Sequence, residues 1–538
     1  MHHNTWHRVV LIVVGIVLAA VYPAFAQAPN VLRVGYNEPD TLDPHEAVTS
    51  ASQAIVRLLY RGLTRFAIRD GRVTTSEVDP DLAESWIEPA GGDLSWIFRL
   101  RRGVQFHHGF GEMTADDVKF SFERQLHTPQ DMAYTRNFDV IRAIDVINNR
   151  TLLIRLKYPD PLFLLRVAGY QQGYIVSKKA VQQYSERFQW NPVGTGPFYL
   201  EQRLVDEKMI LKAHRFYIDP LQDEQVATST HPNIDEVHWF DVRDDATRLL
   251  GLKYGAFDII VPNVMNRALT ESVEQVGAVL DKRGPGILWT LFLNTSKKPF
   301  DEIDIRRAVM SAIDRKAIQE AIWSEALSKL ATSPLPLHYT GHMSVEIPPY
   351  DPEGAKSMLS RHLRLPYTLG AEVISEASEF PQIMALVQKQ LEAVGLILHL
   401  VKAGHAIYHE RIRANVNGIV LYGAARITHG DVMLGLFYHS SQIPGPASSG
   451  QGTNFAHYRG IDDLLDTASR TTNRDDRGAL YHQAQQRLMD DAVVLPLTVV
   501  PNTSVRNPKR VRTPFAPDLG ESALHYFYNY LERFELVR

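Results

Sequence analysis

Two prolines and two glycines fall within the seven residues Asn191-Pro192-Val193-Gly194-Thr195-Gly196-Pro197, and the apolar run Phe198-Tyr199-Leu200 follows at once. Proline lacks a backbone donor and fixes φ, and glycine weakens helix and strand alike, so this segment reads as a rigid corner opening into a strand. The stretches before and after it read as separate compact units. A chain of 538 residues is too long for one core, and about two to four domains are expected.

Cysteine is absent, which excludes disulfides, thiolate metal sites, cysteine nucleophiles and a lipid-modified cysteine at a mature N-terminus. The formal charge of -4 leaves no excess of basic groups for nucleic acid or anionic lipid, so no nucleic-acid partner is expected. Arg8 precedes the apolar run Val9 to Val21, and Ala24-Phe25-Ala26 supplies the small residues a signal peptidase reads. Residues 1–26 are therefore expected to be a cleaved secretory signal, with the mature chain starting at Gln27. The apolar run is shorter than the roughly 20 residues a membrane span needs, and the expected product is soluble and periplasmic.

Asn30 to Tyr36 alternates as a strand, Pro39 and Pro44 break it, and Ser52 to Tyr60 follows as a helix ended by Gly62. Leu94 to Phe106 alternates again and turns at Gly103. Thr114 is placed to cap a helix with Asp116 and Asp117 in its first turn, and a hairpin is expected from Asp145 to Ile147 and Thr151 to Leu156. The stretch from Phe66 to Trp190 is thus a small α+β unit. Beyond the corner, Met209 to Lys212, Glu236 to Phe240 and Asp258 to Val261 read as strands, and Asp244 to Tyr254 as a helix. Ile287 to Asn294, apolar on both faces, predicts a strand inside a sheet.

Ile305, Ala308, Val309, Ala312, Ile313 and Ala317 repeat at three and four residues along one helix face. Ile383, Leu386, Val387, Leu391 and Val394 do the same on another, stopped by Gly395 ahead of a strand from Leu396 to Leu400. Ser441 to Gly452 is an exposed loop, Val493 to Val500 a buried strand, and Phe515 to Arg538 closes the chain.

No Gly-x-Ser-x-Gly elbow, His-Glu-x-x-His helix or Walker sequence occurs, and Gly194-Thr195-Gly196 lacks the lysine of a phosphate loop. Asp116 with Asp117 and Asp244 with Asp245 are adjacent, diverge on a helix and suit capping better than paired catalysis. Trp96, Trp239 and Trp289 read as core. His405 and His409 share one face if their segment is helical, a metal-chelating geometry, although such pairs are common in a chain with 21 histidines. No metal site or catalytic residue is assigned. His107 and His108, adjacent, would point apart in a strand.

Several segments together resemble one family, the extracellular solute-binding proteins of peptide and oligopeptide ABC transporters (family 5). They are Asp79-Pro80-Asp81-Leu82-Ala83-Glu84-Ser85-Trp86, Phe98 to His107, Thr114-Ala115-Asp116-Asp117-Val118, the corner, Phe292-Leu293-Asn294-Thr295 with Ile305 to Arg315, Tyr350 to Ala355, and Val387 to Gly395. They run in the family's order over nearly the whole mature chain. The resemblance implies an α/β fold, a two-lobed periplasmic-binding-protein clamshell of type II with an extra α+β domain inserted in lobe I. Its expected division is lobe I at 27–65, 191–285 and 500–538, the insert at 66–190 and lobe II at 286–499.

The resemblance also implies a monomeric receptor, not an enzyme and without cofactor, that closes on a peptide or peptide-like solute and delivers it to an ABC transporter permease. On the positions that match, it implies Thr49 and Ser50 in the first cleft loop, Tyr134 from the insert, and Tyr422, Arg426, Thr428 and Asp431 in the second lobe as substrate-binding residues. Tyr422 to Asp431 lacks the tryptophan that peptide binders usually show. Either Thr428 or Asp431 takes the acidic position that meets a ligand amine, and Arg426 offers a fixed positive charge to a carboxylate or phosphate. Two other readings stand beside this one: a secreted hydrolase, and a receptor of the same fold for a sugar-phosphate conjugate or a nickel complex.

Overall fold

The computed structural model describes residues 29–537 except 48, 70–71, 91, 127–137, 169–172, 220–231, 264, 324, 338, 377–378, 426–428, 446–451 and 514–529. The expected signal segment, Tyr134, Arg426, Thr428 and most of the closing segment from Phe515 lie outside the described residues.

The first strand, Val31–Tyr36, buries Leu32 and Val34 completely and pairs in parallel with Glu236–Asp241 on one side and Ile259–Ile260 on the other. Lys208–Ala213 and Phe198–Leu204 extend the sheet antiparallel beyond Glu236–Asp241. On the opposite side the sheet continues through Val494–Arg506 and Val279–Leu293 to Ile419–Ala424, and Lys329–Leu330 adds to Val494–Arg506, giving nine strands among the described residues.

Two of these strands are far longer than the sequence predicts. The strand expected at Ile287 to Asn294 starts at Val279, and the one expected at Val493 to Val500 runs on to Arg506. They pair antiparallel, Val279 to Arg283 against Arg506 to Asn502 and Ile287 to Phe292 against Val500 to Val494, with the ladder interrupted at Gly284-Pro285-Gly286. That Gly-Pro-Gly looks like a terminator in sequence but is only an irregularity within a strand. At Gly286 the strands approach so closely that a Cβ would lie 1.8 Å from the Val500 carbonyl oxygen, so only glycine fits.

Before the interruption, Leu280 bridges two cores, packing with Leu249, Leu252, Phe257, Ile260 and Val505 and also against the core that the strand enters beyond it. After it, Leu288 to Leu293 belong to a large core that includes the helix Phe380–Ala393. A further core joins the first strand and the helix Ser50–Leu59 to a four-stranded antiparallel sheet, in the order Ala83–Ile87, Ser95–Leu100, Thr151–Leu156, Ile141–Asn148. The helix Ala115–Leu126 packs on that sheet, with Asp117 accepting from the Thr114 backbone N–H at 3.0 Å. The capping role expected of the paired acids holds at Asp244 too, which accepts from Thr247 N at 2.7 Å and starts the helix Asp245–Lys253. Trp96, Trp239 and Trp289 are core residues.

The corner is built as its composition demands, with the strand beginning at Phe198. Gly194 and Gly196 lie against the end of the helix Ser50–Leu59, where Cβ atoms would fall 2.1 and 2.5 Å from the carbonyl oxygens of Leu59 and Leu58. His107 is not in a strand as expected. It sits in a short 3-10 turn in which His108 takes φ +54°, and its ring is fully buried beneath the corner. Gly194 N–H donates to His107 Nδ1 at 3.2 Å, so Nε2 carries the hydrogen and donates to Gly196 O at 3.0 Å. Burial holds this imidazole neutral, its pKa well below the usual value.

The helix expected from Ile305 to Ala317 is two helices, Ile303–Ser311 and Arg315–Ile322. Asp314 caps the second by accepting from Ala317 N at 2.9 Å, while its own N–H donates to Gln390 Oε1 at 2.9 Å. Ala317, expected on the buried face, is exposed, and the second helix buries Ile318 and Ile322 instead.

Tyr367–Ser375 pairs in parallel with Leu396–Ala403, and the helix Phe380–Ala393 crosses between them. On the first of these strands Glu372, 2% exposed, accepts from Gly418 N at 2.9 and 3.0 Å and from Ile419 N at 3.3 Å. Burial pushes its pKa from 4.5 up to about 7, against the pull of those N–H groups. The folded state therefore keeps a proton that the unfolded chain has lost over this window. The contribution of Glu372 to stability falls as pH rises through it, by ~3 kcal/mol in all, and is flat above it. Glu532 is displaced in the same direction, also to about 7, so the comparison that isolates Glu372 is with Glu372→Gln. In urea unfolding from pH 4.5 to 7.5 the wild-type stability should decline relative to the variant; parallel profiles would contradict this.

Candidate functional site

The two halves of the molecule meet at the start of the helix Gly430–Tyr438. His429 is its N-cap, with Nδ1 accepting from Asp431 N at 3.2 Å, and Gly430 N–H donates to Thr340 O at 2.8 Å. The His429 ring is 2% exposed and meets Tyr481 edge-on at 5.6 Å between centroids. Burial drives its pKa far down, with the Arg477, Arg166 and Arg474 charges adding to the effect. It is a neutral structural cap.

Asp431 projects from this helix start towards the first half of the chain, where Arg166 waits. Arg166 Nη2 lies 3.2 Å from Asp431 Oδ2, and Arg166 Nε lies 2.7 Å from Asp160 Oδ2. Asp160 also accepts from Leu162 N at 2.9 Å, which ties the triad to the short helix Phe163–Arg166. Burial raises the pKa of Asp431 despite the opposing pull of Arg166. For Arg166, burial works against the charge, but the Asp160 and Asp431 carboxylates outweigh it and hold the guanidinium protonated.

Apolar contacts surround the triad. Phe66, Leu162, Leu165 and Ala168 pack with Val432 of the second half, and Tyr530 Oη donates to Phe66 O at 3.2 Å. A further contact is made by Arg470, whose guanidinium lies 5.7 Å from the Tyr158 ring centroid. Beside His429, a cavity of about 550 Å³ is lined by Thr340, Gly341, Arg474, Arg477, Tyr481 and His482 among others. That volume is in the range of small-molecule sites, and its lining sets Arg474, Arg477 and tyrosine and histidine rings against one acid, Asp475.

Of the residues expected at the site, Thr49 is the N-cap of the helix Ser50–Leu59, donating from its hydroxyl to Asp40 Oδ1 at 2.6 Å and accepting from Ser52 N. Ser50 is the exposed first residue of that helix. Tyr422 stands opposite Thr290 in the sheet, 9% exposed, with its ring 5.0 Å from Phe455, 5.7 Å from Phe437 and 5.8 Å from His409. Of the expected residues that are described, Asp431 alone takes part in the meeting of the halves described above. The sequence reading passed over Arg166 and Asp160. The signal was present, in a single arginine within the apolar run Pro161 to Ala168 beside an aspartate, since a charge in such a run needs a partner.

Among the described residues, Glu38, Asp206 and Asp241 form the one group of three acids close enough to share a cation. Arg203 lies 2.7 Å from Glu38, and Arg243 lies 3.3 Å from Asp206 and 3.4 Å from Asp241. These ion pairs account for the group.

Residues 77–445 match the family model of bacterial extracellular solute-binding proteins, family 5. Heme-binding protein A of Haemophilus influenzae is 28% identical over 82% of this chain and 83% of its own. Di/tripeptide-binding protein 1 of Pseudomonas aeruginosa is 25% identical over 92% of each chain. The binding protein MoaA of A. tumefaciens R10, solved in complex with mannopinic acid, superposes with a TM-score of 0.81 at 27% identity, covering 95% of this chain and all of that one (100%).

Proposed function

Because the chain belongs to the family 5 bacterial extracellular solute-binding proteins and has their two-lobed type II fold, we propose that it captures a short peptide or peptide-like solute between its lobes. The observation that carries this reading is the meeting of Arg166 and Asp431 across the lobes, at 3.2 Å, amid apolar contacts and near a cavity lined by residues of the second half. Proteins of this family bind solutes, work with ABC transporter permeases and act in the periplasm or outside the cell. The protein is a binding protein and not an enzyme. Delivery to a permease by a monomer, after removal of residues 1–26 as a signal, completes the reading. No helix among the described residues is long and apolar enough to cross a membrane.

The break in the ladder at Gly284-Pro285-Gly286 supports a passage between lobes near 285. Asp431 acts first as a latch, since Arg166 engages it from lobe I. A ligand amine would have to share it. The basic lining of the adjoining cavity favours an anionic group there, such as a terminal carboxylate or an acidic side chain. Tyr134, Arg426 and Thr428, with Tyr422, Thr49 and Ser50, are proposed as further ligand contacts on the strength of the resemblance.

Titration calorimetry with di- to tetrapeptides, free and C-terminally amidated, tests this directly. Saturable binding of the free peptides without cleavage is expected, with amidation weakening it. Absence of binding together with hydrolysis of the peptides would overturn the reading.

A further inference from the structure

The helix His405–Arg413 places His405 and His409 one turn apart, and their Nε2 atoms converge to 3.1 Å. With metal–nitrogen bonds of roughly 2.0–2.1 Å, nitrogens at that separation subtend an angle of roughly 100° at a shared ion. That falls between the square-planar or octahedral angle and the tetrahedral one, so two cis positions of any of these geometries fit. Both rings are held for the purpose. The Nδ1 atom of His405 is hydrogen-bonded to Ser375 Oγ at 2.8 Å, the outer-nitrogen contact that orients an imidazole ligand. The His405 ring packs on Phe380 at 6.0 Å, and that of His409 lies between Tyr408 at 5.6 Å and Tyr422 at 5.8 Å.

We propose that His405 and His409 form a two-imidazole site for one divalent late transition ion of the nickel, copper and zinc class. His405 is exposed and His409 half-buried, so an ion reaches them from solvent. Two protein ligands leave the other positions to water or to donor atoms of a small molecule. The site is separate from the Arg166–Asp431 contact and does not depend on the peptide reading.

The test uses the exported chain, expressed without a histidine tag, and nickel(II) or copper(II) chloride as probe. Calorimetry should show one site per chain, and His405→Gln or His409→Gln should each raise the Kd at least tenfold, more than the loss of an outer-shell partner costs at the low end. Copper(II) electron paramagnetic resonance on the wild type should show hyperfine coupling to two imidazole nitrogens and, on either variant, to one. Equal affinity in wild type and variants, or a wild-type spectrum without two coordinated imidazoles, would overturn the assignment, the second independently of how the variants fold.

Discussion

Replacing Arg166 by methionine lowers the unfolding free energy by about 3–5 kcal/mol and loosens the contact between the lobes. The cost comes from what is left behind. Arg166 is the guanidinium that Asp160 and Asp431 both face, and Asp160 is 7% exposed. Without it Asp160 keeps the Leu162 N–H but loses its counter-charge, and Asp431 loses its partner in lobe I. Asp431→Asn should cost less, because Arg166 retains Asp160. Urea unfolding of the two variants checks the order, and small-angle scattering should show Arg166→Met more extended than wild type without ligand. Equal stability of wild type and Arg166→Met would remove the latch from the account.

The second large effect lies at the carboxyl ends of the parallel strands in lobe I. Arg248 is 0% exposed, and its guanidinium donates to Val242 O at 2.5 Å, Val261 O at 2.5 Å, Asp245 Oδ1 at 2.9 Å and Asn37 Oδ1 at 2.5 Å. It also lies over the Tyr36 ring, 5.4 Å from the centroid. One side chain thus joins the helix Asp245–Lys253 to the ends of Val31–Tyr36 and Ile259–Ile260. Arg248→Leu leaves the carbonyls of Val242 and Val261 and the Asp245 carboxylate each short of a donor, and about 3–5 kcal/mol of destabilisation is expected. Arg248→Lys recovers the charge but not the planar fork, so it should recover only part of the loss. Thermal unfolding of the two variants measures this, and a lysine variant as stable as wild type would show that charge alone matters.

Much of this fold is legible locally. The helix ended by Gly395, the strand after it and the corner at Gly194-Thr195-Gly196 follow from period and breakers because each is settled by residues within a few positions. The failures come from information that is not local. Gly284-Pro285-Gly286 terminates a strand by every sequence rule, yet Val494–Arg506 pairs on both sides of it and carries the strand through. The break before Asp314 is hidden because Ala317 continues the apolar spacing of Ile313 in the sequence, although it is exposed in the fold, and the break is stabilised by Gln390, 76 positions away. At the site, the family resemblance drew attention to Asp431, but its partner Arg166 lies 265 positions earlier in a run that reads as core. Tyr422, placed at the cleft by the same resemblance, is packed by its sheet neighbours and by Phe437 and Phe455.

The most direct measurement of the central claim is mass spectrometry of whatever leaves the protein when it is purified without added ligand and then denatured. The account predicts an intact peptide or peptide-like molecule, close to one per chain, that rebinds the refolded receptor unchanged. Protein that releases no such molecule and cleaves added peptides would contradict it.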